Sequence, residues 1–364
     1  MSTDIKIIFL FLLFFTIKYL KMAVFANERK KLVISEENKS VDIFEDTINT
    51  GLRGNTVFGI SYGTCSSSLQ KSVRRGIAEE AVQWALGMYS MSPIARTNLW
   101  NRLLVMTVED VGPANILALP TVLDLFLNKD EDEVYRIALA AAYLAQSKKT
   151  RVNDWACYFY KVEGDEIEKE GMQNYYNTYV KALKKKDIER VLKCITCLAF
   201  CEEEVPLSLR RSLGSKKKYA QSLIWTGFDT VIGESKYLDR VKEIASLKNW
   251  NSKIERKGKT RLLYSHVAIL WCLTDFKELD KHSEGTIKTA EEYIKVKGRL
   301  DQIKEFKGLY GVPDYAMDKH TIEGRKLKRG FEHFIEEGSY LENESEEWKD
   351  ISNYFLKFFK TNML

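Results

Sequence analysis

Between Gly311 and Gly338 the chain gathers side chains of the types that do chemistry: Asp314, Asp318, His320, Arg325, Arg329, His333, Glu336 and Glu337. Two of the four histidines of the protein lie here. So many polar groups are costly to bury unless they pair with one another. Three readings are open. In the first, Asp314, Asp318, His320, His333 and Glu337 belong to a satisfied salt-bridge and hydrogen-bond network that fixes the last helices onto the body. In the second, Lys319, Arg325, Lys328 and Arg329 contact phosphate, a task suited to the planar arginine fork. In the third, Asp314, Asp318, His320 and His333 form a metal-dependent nuclease site, with a metal bridging phosphate and activating water.

Other candidate motifs are weaker. Gly258-Lys259-Thr260 looks like the end of a phosphate-binding loop, but Lys253 stands where the earlier glycine belongs and no apolar strand precedes it. It reads as a surface turn, and no ATP hydrolysis is expected. Cys194, Cys197 and Cys201 are spaced by three and four, on the helical stripe that also carries Val191 and Leu198. A cluster site needs thiolates converging from a loop, so they read as small core side chains. No catalytic residue, metal ligand or cofactor is nominated, and no small-molecule substrate is expected.

A second polar constellation lies earlier. Lys71, Arg74, Arg75 and Arg102 are spread over two helical segments, and Glu109-Asp110 stands just before the turn Gly112-Pro113. Arg74, Arg75 and Arg102 either pair with Glu109 and Asp110 or stay exposed with Lys71 to meet a phosphate. Two acids beside a turn need partners, which favours pairing. Asp110 can also cap the following helix, whose first amides need an acceptor.

The elements that position these groups read as helices. The 364 residues include only 5 Pro and 20 Gly, with 45% apolar and 29% charged residues, an ordinary composition that argues against disorder and against a polytopic membrane protein. Gly51–Gly63 reads as a loop. Ser66–Met88 carries Leu69, Val73, Ile77, Ala81, Trp84, Ala85 and Met88 at helical spacing. Further helices are expected over Leu99–Val108, with Leu103, Leu104 and Met106 inward, and over Ala114–Leu127, Glu133–Ala145 and Ile188–Phe200. Lys148-Lys149-Thr150-Arg151 reads as a basic turn. Leu262–Cys272 is apolar enough to be buried, Glu291–Phe306 alternates charge like a solvated helix face, and Trp348–Phe359 is amphipathic.

The net charge of +5, from 56 basic and 51 acidic residues, permits a polyanionic partner without demanding one. Six cysteines in a chain this long require no disulfide scaffold, which points to reduced thiols and an intracellular setting, cytoplasm or nucleus. Ile7–Ile17 is apolar but too short for a span of about 20 residues. It is either the apolar part of a signal peptide, with Val24-Phe25-Ala26 as cleavage site, or an upstream extension before a start at Met22. No stable membrane span is expected. The chain divides into 1–50 (apolar segment and polar tail), 51–150 and 151–300 (helical, the latter more charged), and 301–364 (the polar motif and a final helix).

Two blocks carry a family resemblance. Ser67-Ser68-Leu69-Gln70-Lys71-Ser72-Val73-Arg74-Arg75-Gly76 leads into Ala81-Val82-Gln83-Trp84-Ala85-Leu86-Gly87-Met88. The second block is Leu99 through Gly112, with Arg102-Leu103-Leu104 and Val108-Glu109-Asp110-Val111-Gly112. Together they resemble the C-terminal helical region of the replication-associated recombination protein A / Werner-helicase-interacting-protein group, clamp-loader-like AAA+ ATPases. The match covers Ser66 to Leu127, about a sixth of the chain. The Pro-Asp-Tyr-Ala, Asp-Lys-His-Thr, Gly-Arg, Arg-Gly, His-Phe and Glu-Gly steps of 311–338, with Arg261-Leu262-Leu263-Tyr264-Ser265-His266, are similar to stand-alone versions of this region in phages, large DNA viruses and uncultured microbes. The resemblance then extends from about 51 to 340.

That resemblance implies the collar half of a ring-forming machine without its nucleotide-binding module. The expectation is an all-α, multi-helix bundle resembling the clamp-loader collar, with an additional C-terminal helical segment. Its function would be non-catalytic: oligomerisation and docking to replication, repair or recombination proteins, with DNA-backbone binding through the basic clusters as an open option. The alternative is a metal-dependent nucleic-acid-processing enzyme using the 311–338 cluster.

Overall fold

The computed structural model describes residues 56–57, 60–159, 171–201, 204–214, 219–247, 259–283 and 311–363. The expectations for 1–50 and for Glu291–Phe306 lie outside them. The described residues are mostly helical, and their one sheet is a two-stranded antiparallel hairpin, β1 (Thr56–Val57) and β2 (Ile60–Ser61). The hairpin occupies part of the expected Gly51–Gly63 loop, and Gly63 already lies in the first helix.

That helix, α1 (Tyr62–Arg74), starts at Ser61, whose Oγ accepts the Thr64 amide at 3.2 Å. The expected single helix over Ser66–Met88 is two helices. Gly76, at φ +71°, ends α1 with paired bonds from its own amide to Val73 O and from the Ile77 amide to Ser72 O. A Cβ at Gly76 would lie 2.9 Å from Asn343 Nδ2, so both the turn and the packing select glycine there. Next come α2 (Ala78–Met91) and α3 (Pro93–Met106), the latter capped by Ser92 with Pro at its first position. The chain then widens into a π-turn, Thr107–Val111, and stops at Gly112 (φ +55°) and Pro113. α4 is Ala118–Leu127, and α5 is Glu133–Gln146, capped by Asp132.

The remainder adds α6 (Val152–Phe159), α7 (Met172–Lys184), α8 (Ile188–Phe200), α9 (Leu207–Ser212), α10 (Gln221–Ile232), α11 (Lys236–Ser246), α12 (Lys259–Leu273) and α13 (Phe276–Asp280). α8 has the expected bounds. In the C-terminal part, a 3-10 turn (Asp314–Ala316), α14 (Ile322–Lys326), α15 (Phe331–His333) and a second π-turn (Phe334–Gly338) precede α16 (Glu346–Met363).

α1, α2 and α5 pack together, and α3 and α4 close that group. α7, α8, α10 and α12 form a second group, and α6 bridges the two by packing on α12 and on the π-turn Thr107–Val111, while also packing on α16. Leu69, Val73, Ala81, Ala85, Met88, Leu103, Leu104 and Met106 are fully buried, and Trp84 is 2% exposed. Each large apolar side chain so enclosed contributes about 1.5–3 kcal/mol relative to exposure. The α12 segment Leu262–Cys272 is buried as expected, apart from half-buried Trp271. Lys259 and Thr260 open this helix and Thr260 is buried, which corrects the surface-turn reading of their motif.

Candidate functional site

The polar face of α1 is enclosed, not solvated. Every residue from Thr64 to Arg74 is buried. α2 and α5 cover part of the helix, and the segment 314–338 covers more. Burying Ser67, Gln70, Lys71, Ser72 and Arg74 is tolerable only with partners, and those partners come from distant parts of the chain.

One group of partners is the π-turn. Its wider winding carries both Glu109 and Asp110 toward α1. Arg74 Nε donates to Asp110 Oδ1 at 2.6 Å and Arg74 Nη2 to Glu109 Oε1 at 3.2 Å. Gln70 Nε2 donates to both carboxylates, at 2.8 and 2.9 Å. From the expected basic turn, Arg151 approaches Asp110 at 3.6 Å and Glu109 at 3.8 Å, and it pairs directly with Asp154. Lys149 is fully buried and donates to Ala145 O and Ser147 O at 2.6 and 2.7 Å, capping the end of α5.

The other group is the 311–338 segment. Lys71 Nζ lies 2.8 Å from Asp318 Oδ2 and 2.5 Å from Ser67 Oγ, and Ser67 Oγ donates to Ala316 O at 2.7 Å. Arg74 Nη1 donates to Gly338 O. Thr64 Oγ1 donates to Glu323 at 2.7 Å, and the Tyr315 hydroxyl to Glu80 at 2.5 Å. Arg75 stacks 3.9 Å from the Tyr315 ring and donates to Glu337 O at 2.9 Å. The backbone adds Glu342 N to Arg74 O, Lys149 N to Asn343 O and Ser345 N to Lys149 O. The segment is a clasp across α1.

In this cluster the four basic groups Lys71, Arg74, Lys149 and Arg151 stand against the four carboxyls of Glu109, Asp110, Asp154 and Asp318, and burial pushes Asp154 up to about 7 against the pull of Arg151. Burial pushes both Lys71 and Lys149 down to about 8, opposed by Asp318 and Asp110 respectively. At neutral pH both therefore carry their protons, so Lys71 is no general base for Ser67 despite the short contact. Burial alone would raise the Asp318 carboxyl. The His320 side chain and the Lys71 ammonium outweigh it and hold the group well below the usual carboxylate range.

Beside the cluster runs a neutral relay. Asn153 Nδ2 donates to Val108 O (2.9 Å) and to His266 Nδ1 (3.0 Å). His266 Nε2 then donates to the Tyr237 hydroxyl (3.0 Å), which donates to Ile116 O (3.2 Å). The bond directions require the Nε2-protonated tautomer. Burial pushes His266 down to about 3, so the ring is neutral.

The expected residues divide as follows. Arg74 pairs with Glu109 and Asp110, but Arg75 goes to Glu337, and half-buried Arg102 meets neither acid. Asp110 caps no helix, because its oxygens are taken by Gln70 and Arg74. Lys71 and Arg74, expected at a phosphate, are 3% and 1% exposed and face carboxylates. Arg329 is committed to Asp314, with bonds to its carboxylate (2.5 Å) and carbonyl (2.6 Å), and to Met317 O at 2.9 Å. Lys319 lies 4.3 Å over the Phe331 ring, and Arg325 is half-buried and engaged. Lys328 remains exposed.

Asp318 accepts the His320 amide (2.9 Å) and lies 3.2 Å from its Nδ1, whereas the His320 ring is 54% exposed. His333 does not join the network, and its Nδ1 is buried without a hydrogen-bond partner. Among the described residues, no group of three or more His, Cys, Asp or Glu side chains is placed to hold a metal ion. Cys194 and Cys197 are buried and Cys201 half-buried, all as free thiols. No described helix is long and apolar enough to cross a membrane. Sequence reasoning overlooked Lys149, Arg151, Asp154 and the His266 relay. No family model, curated protein or solved structure matches this chain.

Proposed function

We propose that this chain is a non-catalytic helical component of a DNA replication, repair or recombination assembly, acting through oligomerisation and partner docking. The observation that carries the reading is the commitment of the polar motif to partners within the protein. Asp318, Arg329, Glu337 and Tyr315 are held by partners within the protein. The first of the two blocks that resemble the collar of clamp-loader-like ATPases spans α1 and α2, which this clasp holds, and rigidity there suits a scaffold. Any DNA contact would use the exposed lysines, Lys184, Lys185 and Lys186 at the end of α7 and Lys326 and Lys328 at the end of α14. It would be a phosphate-backbone contact and would weaken steeply with salt.

Pulldown from replication extracts tests the docking. Gel shifts with single- and double-stranded DNA over a salt series test the contact. Binding lost in Lys326→Ala/Lys328→Ala or in Lys184→Ala/Lys185→Ala supports it, and no binding at low salt removes the DNA part.

A further inference from the structure

Among the described residues, seven large apolar side chains stay exposed, and Ile322 and Leu327, at 53% and 54%, are the two closest in sequence. Single exposed apolar residues are ordinary, whereas neighbouring ones mark contact surfaces. Ile322 opens α14 and Leu327 directly follows it. Lys326 and Lys328 are exposed beside them, and neither side chain makes a hydrogen bond or ion pair with a described residue. The turn is held from beneath. The amides of Leu327, Lys328 and Arg329 donate to Glu323 O, Arg325 O and Gly324 O at 3.0, 2.9 and 3.0 Å, and the Arg329 side chain ties it to Asp314 and Met317. Lys328 takes a left-handed φ of +55°, which residues other than glycine rarely adopt. A surface ordered in advance loses little freedom when it binds.

The same part of the chain carries a counterpart. Residues 319–329 hold five basic residues and one acid, whereas 332–350 hold eight acids and one lysine. Several of these charges are committed within the chain: Arg329 to Asp314, Glu337 to Arg75 and Glu346 to Lys349. Glu347 and Asp350 on α16 are exposed and form no ion pair with a described residue. Helical spacing sets them on one side with half-buried Ile351 and Tyr354, at positions i, i+3, i+4 and i+7. Buried Trp348, Ser352 and Phe355 occupy the side turned inward. An acidic strip with two apolar side chains thus matches a basic turn with two apolar side chains, and no ion pair joins the two surfaces within one copy. A phosphate backbone would satisfy the lysines but leave Ile322 and Leu327 in water.

We propose that the Ile322–Lys328 turn of one copy docks on the Glu347, Asp350, Ile351 and Tyr354 face of α16 in a second copy. The contact joins two different patches, so it builds a head-to-tail ring or an open chain. This docking rests on the oligomerising role proposed above and supplies its surfaces.

The test is sedimentation velocity of the full chain over a concentration series at low and high salt. The average mass should rise with concentration at low salt and fall back when salt screens the exposed charges. Lys326→Glu/Lys328→Glu and Glu347→Lys/Asp350→Lys should each weaken assembly by about tenfold or more. An equimolar mixture of the two should restore it, because every contact then pairs opposite charges. Ile322→Ser/Leu327→Ser should abolish assembly and leave Tm unchanged. A chain that stays monomeric throughout overturns the docking together with the oligomerising role. Assembly that persists in both charge variants, or a mixture no better than either alone, overturns the docking and leaves that role standing. A large Tm loss in Ile322→Ser/Leu327→Ser also overturns it, by assigning the turn to residues 284–310 of the same chain. Lys326→Glu/Lys328→Glu that loses the DNA gel shift with assembly intact overturns it in favour of nucleic acid.

Discussion

Asp110→Asn is the sharpest perturbation of the buried cluster. The side chain is fully buried and receives Arg74 Nε at 2.6 Å and Gln70 Nε2 at 2.9 Å, with Arg151 Nε at 3.6 Å. The amide keeps the shape but removes one of the four carboxyls and turns an N–H pair toward donors. Two arginines that are each 1% exposed lose part of their compensation. Breaking a buried pair in this way costs about 3–5 kcal/mol, a large share of the ~5–15 kcal/mol that holds a typical domain. Reversible urea unfolding is the assay, read by tryptophan fluorescence, since Trp155 lies 4.4 Å from the Arg151 guanidinium. The control is Lys281→Ala, which removes an exposed i,i+3 pair with Glu278 and should change stability by less than about 0.5 kcal/mol. An Asp110→Asn loss below about 1 kcal/mol, comparable with the control, would refute the reasoning.

Further outcomes follow from single groups. Gly324→Ala drives a Cβ into the Asp318 backbone and should lower Tm strongly, by more than the loss from Gly330→Ala, where nothing lies within 4 Å. Lys186 and Lys328 occupy left-handed backbone at φ +54° and +55°, so Lys186→Gly and Lys328→Gly should each stabilise the chain by up to about 1 kcal/mol in urea titrations. His266 is neutral in the fold down to about pH 3, whereas its unfolded value is about 6.5. Between those values the unfolded chain binds the extra proton, so stability rises with pH by up to about 1.4 kcal/mol per unit. His266→Gln should flatten that limb. Lys149, at about 8 in the fold, adds a rise between pH 8 and its unfolded value near 10.4, which Lys149→Met should remove.

The helices were legible because apolar spacing reports burial directly. α8 and the core stripe Leu69, Val73, Ala81, Trp84 and Met88 follow from it. The break at Gly76 was missed because the apolar stripe runs through it, and only the left-handed turn separates α1 from α2. The pairing of Arg74 with Glu109 and Asp110 was legible from the need of two adjacent acids for partners. Lys71 as a buried residue was not, because the polar face of α1 is covered by a segment some 250 positions later, and periodicity carries no information about what lies opposite. Lys149 and Arg151 looked like a solvated turn for the same reason. The inward display of both Glu109 and Asp110 depends on a π-turn, whose five-residue winding no ordinary helical template contains.

The account rests on the 311–338 segment being an internal clasp. The most direct measurement is a double-mutant cycle with Lys71→Met and Asp318→Asn, read by urea unfolding. These two residues stand 2.8 Å apart with side chains 3% and 0% exposed. The clasp predicts a coupling energy of at least about 2 kcal/mol, with the double mutant more stable than the sum of the single losses allows. A coupling near zero, with both single variants as stable as wild type, would contradict it.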